Sequence, residues 1–326
     1  MTVQLFALLL CVGLLLPAVI GPRVLQSAAP LLMRLPRVTI GLLTGSVVVW
    51  VLAALSVGPM LAWLVTGPDV LPENAAAVCT RCLAAADPFG LERVETVIPV
   101  VLLLVVPVAV SVAYAASIVV EVWRRHHAML RTAARFRGES TSAQLHGYAV
   151  RLVDDAHPFA LTMPRRHGGI VVSTGAVGLL AERDLIAVLA HEHAHLQQRH
   201  HLLNAIVSIL SARLRWVPLV AAAEGALPHY LEIAADDAAR REAGTPALAS
   251  ALVALGEYGR PGVDSEGLEG ALHALGPDRI RHLVDPDRGT AGVAAAVASA
   301  FCLTSLAMLA AVVHVPYVLA VVTGCF

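Results

Sequence analysis

Leu189-Ala190-His191-Glu192-His193-Ala194-His195 is the stretch that decides how this chain is organised. It contains a His-Glu-x-x-His pattern inside a segment that is expected to be helical. His191 and His195 are four residues apart, so on a helix both imidazoles leave the same face and can bind one zinc ion. Glu192 is rotated by about 100° from His191, where it can accept a proton from zinc-bound water. An isolated match can also be a solvated, histidine-rich helix. The rest of the sequence must therefore distinguish a metal site from this alternative.

The composition places the chain in a membrane. It has 326 residues, of which 57% are hydrophobic and 14% are charged, whereas soluble domains contain about 25% charged residues. The formal net charge of −1 gives no electrostatic reason to expect a nucleic-acid partner. We therefore expect an integral membrane protein, with the lipid bilayer as a partner and one modest soluble part.

Four apolar stretches are long enough to cross a bilayer that is about 30 Å thick. They are residues 4–20, 38–65, 97–120 and 291–323. The start of the chain lacks the positive charges of a signal peptide, so we interpret the first stretch as a retained helix. The chain then divides into three spans in residues 1–120, a soluble domain in 121–290 and a fourth span in 291–326. The expected fold class is a mainly α membrane protein with an α+β, zincin-like domain between spans three and four.

Charge asymmetry predicts an orientation. Arginines are concentrated between the first two spans, at 23–37, and directly after the third, at 124–137, whereas loop 66–96 is acidic. Basic loops tend to stay on the cytoplasmic side. We therefore predict a multi-pass cell-membrane protein with both termini and loop 66–96 outside and the 121–290 domain in the cytoplasm.

Three of the five cysteines fall on the predicted external side. They are Cys79, Cys82 and Cys325. An oxidising compartment favours a disulfide among them, and the sequence leaves the pairing open.

The soluble region contains three short segments with strand character. Tyr148–Val153, residues 159–162 and residues 169–174 predict a small hairpin or meander. Residues 202–223 are apolar but include two arginines and a proline, which predicts a helix lying on or dipping into the inner leaflet. Residues 228–243 predict a further helix, with proline at its start and Gly244 closing it.

This last helix offers a third ligand. Three protein ligands plus a water form the usual catalytic zinc set, and we expect Glu232 to complete it. Asp236 lies one turn later on the same face, where it can hydrogen-bond the free nitrogen of a ligand histidine. A surface role is the alternative for either carboxylate.

Three further histidines lie close to the motif. His193 is rotated by about 200° from His191, so we do not expect it to bind the metal. His200 and His201 are expected at the helix end, near lipid headgroups.

Taken together, these segments resemble the BlaR/MecR family of membrane zinc peptidases over nearly the whole chain. The resemblance rests on the span arrangement and on residues 159–173, 184–195, 216–220 and 231–237. It implies that His191, His195 and Glu232 bind Zn²⁺ and that Glu192 is the catalytic base. It also implies cleavage of a cytoplasmic protein such as a winged-helix transcriptional repressor.

The chain departs from these receptors in one respect. They carry a penicillin-binding sensor domain after the fourth span, whereas this sequence ends at Phe326 and has no lysine for a Ser-x-x-Lys motif. The resemblance therefore does not extend to direct β-lactam sensing. The sibling family of HtpX and the prenyl-protein proteases shares His-Glu-x-x-His and the Glu-x-x-Ala-Asp pattern, but its spans are placed differently. It ranks second and implies a membrane quality-control protease.

The chemistry expected of such a site is peptide-bond hydrolysis. Zinc lowers the pKa of bound water and polarises the scissile carbonyl, and Glu192 transfers the proton to the leaving amine. Residues 168–174 are either an open strand edge that pairs with substrate or a buried strand. Tyr230, His229 and His273 are equal candidates for an oxyanion donor. The competing hypothesis is a non-catalytic, zinc-stabilised signalling module, which would not need Glu192.

Overall fold

A computed structural model describes residues 3–58, 60, 100–257 and 292–322. This part of the chain is mainly helical and contains one four-stranded sheet. Four helices are long and apolar enough to cross a membrane. They are α1 (Val3–Leu32), α2 (Pro36–Leu55), α3 (Val100–Glu139) and α9 (Val293–Val322). The expected fold class is confirmed, with a small mixed sheet between the third and fourth of these helices.

Several predictions lie outside the described residues. They concern loop 66–96, His273, and the cysteines at 79, 82 and 325.

Two of the membrane-length helices continue past the apolar stretches that predicted them. α1 extends to Leu32 and α3 to Glu139, well beyond residues 20 and 120. The extensions are packed, since Ala28 and Leu32 join an apolar cluster with α2 and Ala133 joins one with the sheet. Arginines interrupt the apolar pattern, at Arg23 in α1 and from Arg124 onward in α3, but they do not end either helix.

The soluble region follows directly from α3. Its strands are β1 (Ser140–Leu145), β2 (Tyr148–Val153), β3 (Ala160–Thr162) and β4 (Ile170–Ser173). Its helices are α4 (Thr174–Leu179), α5 (Glu182–Gln197), α6 (His200–Ser211), α7 (Pro218–Ala243) and α8 (Thr245–Glu257).

The sheet has the strand order β1-β2-β4-β3. β3 and β4 pair antiparallel, which confirms a hairpin, but β2 pairs with β4 in parallel, so the sheet is not a meander. β1 was not predicted, because its sequence Ser-Thr-Ser-Ala-Gln-Leu is polar and partly exposed. All four residues of β4 are buried, and Ile170 and Val172 pack in one cluster with Leu189 of α5.

The apolar segment after the histidine helix forms a helical hairpin of α6 and the first half of α7. Its turn reaches the membrane-length helices, since Val217 and Leu219 share a cluster with Leu14 of α1 and Trp50 of α2. A Cβ built on Gly21 of α1 would lie 2.7 Å from Cδ1 of Leu219, so the two helices touch there. The predicted helical character of residues 202–223 is confirmed as two helices, of which the second packs between α1, α2 and α9.

The helix that carries the predicted third ligand begins ten residues earlier than expected. α7 starts at Pro218, so Pro228 lies inside it. An internal proline removes one backbone hydrogen bond and usually ends a helix. Here the helix continues, because Leu227 before the proline and Leu231 after it are both buried against the membrane-length helices. Burial of this apolar face offsets the lost hydrogen bond.

Candidate metal centre

α5 carries the histidine motif between the sheet and α7. Glu182 and Asp184 in its first turn suit the positive end of the helix dipole. Leu185 and Leu189 turn one face towards the sheet cluster, and Ala187 turns another towards α7 and α8. These small and apolar contacts hold α5 close to α7.

Three side chains from the two helices converge. Nε2 of His191 lies 3.1 Å from Nε2 of His195. The Glu232 carboxylate of α7 places Oε2 3.3 Å from Nε2 of His191 and Oε1 3.4 Å from Nε2 of His195. His191 and Glu232 are both buried, with 9% and 8% of their surface exposed. In the described part of the chain these three residues form a group able to hold a metal ion.

The spacing of the three donor atoms fits zinc. Bonds of about 2.0–2.1 Å in a tetrahedral arrangement put neighbouring donor atoms about 3.3 Å apart. The two Nε2 atoms are 3.1 Å apart, and each lies close to this distance from a different carboxylate oxygen of Glu232, at 3.3 Å from Oε2 for His191 and 3.4 Å from Oε1 for His195. Two imidazoles and one carboxylate are also the donor set of many catalytic zinc sites, in which a fourth position is left for water. The residues present therefore fit a Zn²⁺ ion.

The pKa values of His191 and His195 are shifted in opposite directions. Burial opposes protonation of His191, but the carboxylates of Asp236 and Glu232 outweigh it and raise its pKa to about 10. Burial and the neighbouring His191 lower the pKa of His195 to about 4. The buried carboxylates thus favour one positive charge at this point, and a divalent cation would supply it.

Asp236 lies behind His191, on the side away from the ligand cluster. Its Oδ1 lies 3.1 Å from Nδ1 of His191, the nitrogen that faces away from Glu232 and His195. The residue is almost fully buried, with 2% of its surface exposed.

Glu192 is buried beside the cluster and contacts the sheet. Its Oε2 lies 2.6 Å from Oγ1 of Thr162, the last residue of β3. The same hydroxyl lies 2.8 Å from the backbone oxygen of Glu192. The sequence analysis missed Thr162, because nothing in the order of residues indicates which strand end meets the helix.

The other histidines fall into two groups. His193 contacts Gln197 at 2.8 Å and the ring of Tyr148, away from the ligand cluster, in agreement with the helical phase. His200 was expected near lipid headgroups, and that expectation is wrong. Its Nδ1 lies 3.0 Å from Nδ1 of His195, and only 2% of its surface is exposed.

The structure distinguishes the two alternatives for residues 168–174 and bears on one of the oxyanion candidates. β4 lies between β2 and β3, so the strand within residues 168–174, Ile170–Ser173, is an interior strand and not an open edge. Of the two edge strands of the described sheet, β3 is the one whose last residue, Thr162, contacts Glu192 of α5. Tyr230 packs in an apolar cluster with Ile40 and Leu43 of α2, which indicates a core role.

Comparison with known proteins agrees with this geometry. Residues 123–252 match the model of a family described as Peptidase family M48. Two proteins named Protease HtpX homolog, from Ralstonia pickettii and Ralstonia nicotianae, are 36% and 39% identical over 67 residues. A third, from Burkholderia thailandensis, is 31% identical over 77 residues. Each match covers 20–23% of this chain and 22–27% of the relative. No solved structure matches.

Residues 123–252 are therefore similar to the M48 family of peptidases, and they include the two histidines and the glutamate that could hold a metal ion. The match includes α5 with the two histidines and the glutamate between them, and α7 with Glu232. The matched stretches span about a quarter of the length of the HtpX homologues. These relatives belong to the family that ranked second in the sequence analysis.

Proposed function

We propose that this chain is a membrane-embedded zinc endopeptidase in which His191, His195 and Glu232 bind the metal. The observation that carries the proposal is the convergence of these three donors within 4.8 Å of one another, with Glu192 on the same helix as two of them. A structural zinc site is closed by four protein ligands, whereas a catalytic site keeps one position open. Three ligands and an adjacent buried carboxylate favour the enzyme over a non-catalytic signalling module.

Each residue of the site has a task in peptide hydrolysis. Zinc, when bound, acidifies a water and polarises the scissile carbonyl. Glu192 takes the proton from the attacking water and gives it to the leaving amine. Thr162 holds the Glu192 carboxylate through the 2.6 Å contact, and Asp236 orients His191 from its far side.

The free edge of β3 is the site at which an extended substrate would pair. β3 bonds to β4 on one side only within the described sheet, and it contacts α5. Thr162 at its end touches Glu192. A peptide added as a further strand along Ala160–Thr162 would therefore pass close to the base.

The substrate we propose is a protein at or near the cytoplasmic membrane surface. Glu232 lies in the same helix as Leu219, Ala223 and Leu227, which pack against α1 and α2. The zinc ligands are therefore tied directly to the membrane-length helices. The HtpX homologues favour a quality-control role, and the BlaR/MecR resemblance favours cleavage of a winged-helix repressor.

Fragment analysis tests the proposal and separates the two roles. Wild type and Glu192→Gln are co-expressed with a panel of membrane proteins and with a winged-helix repressor, and fragments are identified by mass spectrometry. We expect fragments in wild type and none in Glu192→Gln. Cleavage of several misfolded membrane proteins supports quality control, and cleavage of the repressor alone supports signalling. Identical fragments from both proteins contradict the enzyme assignment.

A further inference from the structure

His200 is one of the largest fully buried side chains of the described residues. Its Nδ1 lies 3.0 Å from Nδ1 of His195, and the two rings meet edge to face at 4.7 Å between centroids. The described residues offer no hydrogen-bond partner to its Nε2. Its one recorded polar contact is therefore with a proposed zinc ligand.

The two nitrogens of His195 face in different directions. Nε2 points to the ligand cluster, at 3.1 Å from Nε2 of His191 and 3.4 Å from Oε1 of Glu232. Nδ1 is the nitrogen that remains free when Nε2 binds a metal, and it must then carry the ring proton. A ligating imidazole almost always donates that proton to an acceptor, which fixes its tautomer and ring orientation.

His200 provides such an acceptor. The two Nδ1 atoms lie 3.0 Å apart, so when Nδ1 of His195 carries the proton, Nδ1 of His200 must offer the lone pair of a neutral imidazole. With its own proton on Nε2, Nδ1 accepts the hydrogen bond from Nδ1–H of His195. His200 is not part of the ligand group, because its Nδ1 contacts the nitrogen of His195 that does not face His191 and Glu232.

A break in the helix places His200 there. On a continuous helix a residue five positions after His195 would be rotated by about 140° from it. Arg199 instead adopts φ 53° and ψ 39°, which ends α5 and starts α6 in a new direction. A left-handed conformation is unfavourable for arginine. The strained residue turns His200 back towards His195.

We propose that His200 is the positioning residue of the zinc ligand His195. This inference rests on the proposed function, since it assumes that His195 binds zinc. The two ligand histidines then have different supports, a carboxylate (Asp236) behind His191 and a neutral imidazole behind His195. A neutral partner adds no further negative charge to a site that already holds Glu232 and Asp236.

Zinc affinity and the spectrum of the cobalt-loaded protein test the proposal in the full-length chain. His200→Leu removes the acceptor, whereas His200→Asn keeps an acceptor near the position of Nδ1. We expect His200→Leu to weaken zinc binding by about 10–100-fold, the usual effect of losing such a partner, and to change the visible Co²⁺ absorption. His200→Asn should stay within about threefold of wild type. His193→Leu is the matched control and should leave both readouts unchanged.

The outcomes separate this inference from the proposed function. Equal zinc affinity and an unchanged spectrum in His200→Leu overturn the positioning role and leave the zinc site standing. Equal losses in His200→Leu and His200→Asn indicate a packing role and also overturn it. A wild-type protein that binds no zinc overturns the proposed function and this inference together. His200→Met replaces His200→Leu in the comparison where the leucine variant does not fold.

Discussion

At the residue scale, the site depends on contacts behind the proposed ligands as much as on the ligands. Asp236 is one turn from Glu232 in α7, so one short stretch supplies both a ligand and the support of another ligand. Its Oδ1 approaches the nitrogen of His191 that points away from the cluster. This contact fixes which nitrogen of His191 is free to bind the metal.

Asp236→Asn should therefore weaken zinc binding by about 10–100-fold, because an amide is a poorer acceptor for Nδ1–H than a carboxylate. The zinc dissociation constant is measured by chelator competition. Asp237→Asn is the matched control, since Asp237 is bonded to Arg240 at 2.9 Å and not to a ligand. A wild-type affinity in Asp236→Asn would show that the carboxylate does not support His191.

Thr162→Val should lower the turnover number by about tenfold or more while zinc content stays constant. The substitution keeps the shape and removes a hydroxyl bonded to the Glu192 carboxylate, and hydrogen bonds to charged groups contribute about 1.5–3 kcal/mol. Thr162→Ser keeps the hydroxyl and should stay close to wild type. Turnover and bound zinc are measured on the same preparations, and equal rates in Val and Ser variants would remove Thr162 from the site.

Sequence reasoning can say which residues share a face of a regular helix. It does not place a residue that follows a bend between two helices. His191, His195, Glu232 and Asp236 lie on regular helices, so spacing alone predicts which of them share a face. His200 was misplaced because its position depends on the left-handed conformation of Arg199, which is common for glycine and not for arginine.

At the element scale, the sheet also has a feature that could not be predicted from the sequence. Three of its four strands alternate or are apolar and could be predicted, but the parallel pairing of β2 with β4 could not. β2 and β4 are not consecutive in the chain, because β3 comes between them, so the pattern of residues does not indicate that they pair. As a result the interior strand was taken as a possible edge, whereas β3 is the edge beside α5.

One glycine makes the junction between β4 and α4 possible. A Cβ on Gly175 would lie 2.2 Å from the backbone oxygen of Ala156, far inside van der Waals contact. The atoms that this Cβ would meet are backbone atoms, so no flexible side chain can move aside to make room. The loop before β3 can therefore approach α4 only over a residue without a side chain.

Gly175→Ala should destabilise the soluble region by about 1–3 kcal/mol, the usual effect of overpacking. The measurement is the midpoint of thermal unfolding of the purified protein. Gly178→Ala in the same helix is the control, because a Cβ there meets nothing within 4 Å, so its midpoint should stay level or rise. Equal midpoints for both variants would contradict the close approach at Gly175.

At the scale of the whole molecule, α7 connects the helices and sheet that follow α3 to three of the membrane-length helices. α7 shares apolar clusters with α1, α2 and α9, and the same helix carries Glu232. Composition predicted the four membrane-length helices, since 18 or more apolar residues leave little choice. Composition could not predict that the apolar hairpin of α6 and the first half of α7, which is too short to cross the membrane, would pack among these helices.

The proposed orientation is tested by labelling with a membrane-impermeant thiol reagent in intact cells. Glu73→Cys and Ser142→Cys are made separately in a cysteine-free background, and Ser142 is exposed on β1. Because arginines flank the soluble region and not loop 66–96, Glu73→Cys should label in intact cells and Ser142→Cys only after permeabilisation. The reverse pattern would invert the topology.

Zinc content per chain tests the central claim most directly. It is measured on purified wild type, His191→Ala, Glu232→Ala and Glu192→Gln, all from the same preparation scheme. Wild type and Glu192→Gln should each hold about one zinc, because Glu192 acts beside the metal, whereas both alanine variants should lose it. Full zinc retention in Glu232→Ala, or loss of zinc in Glu192→Gln, would contradict the assignment of ligands and base.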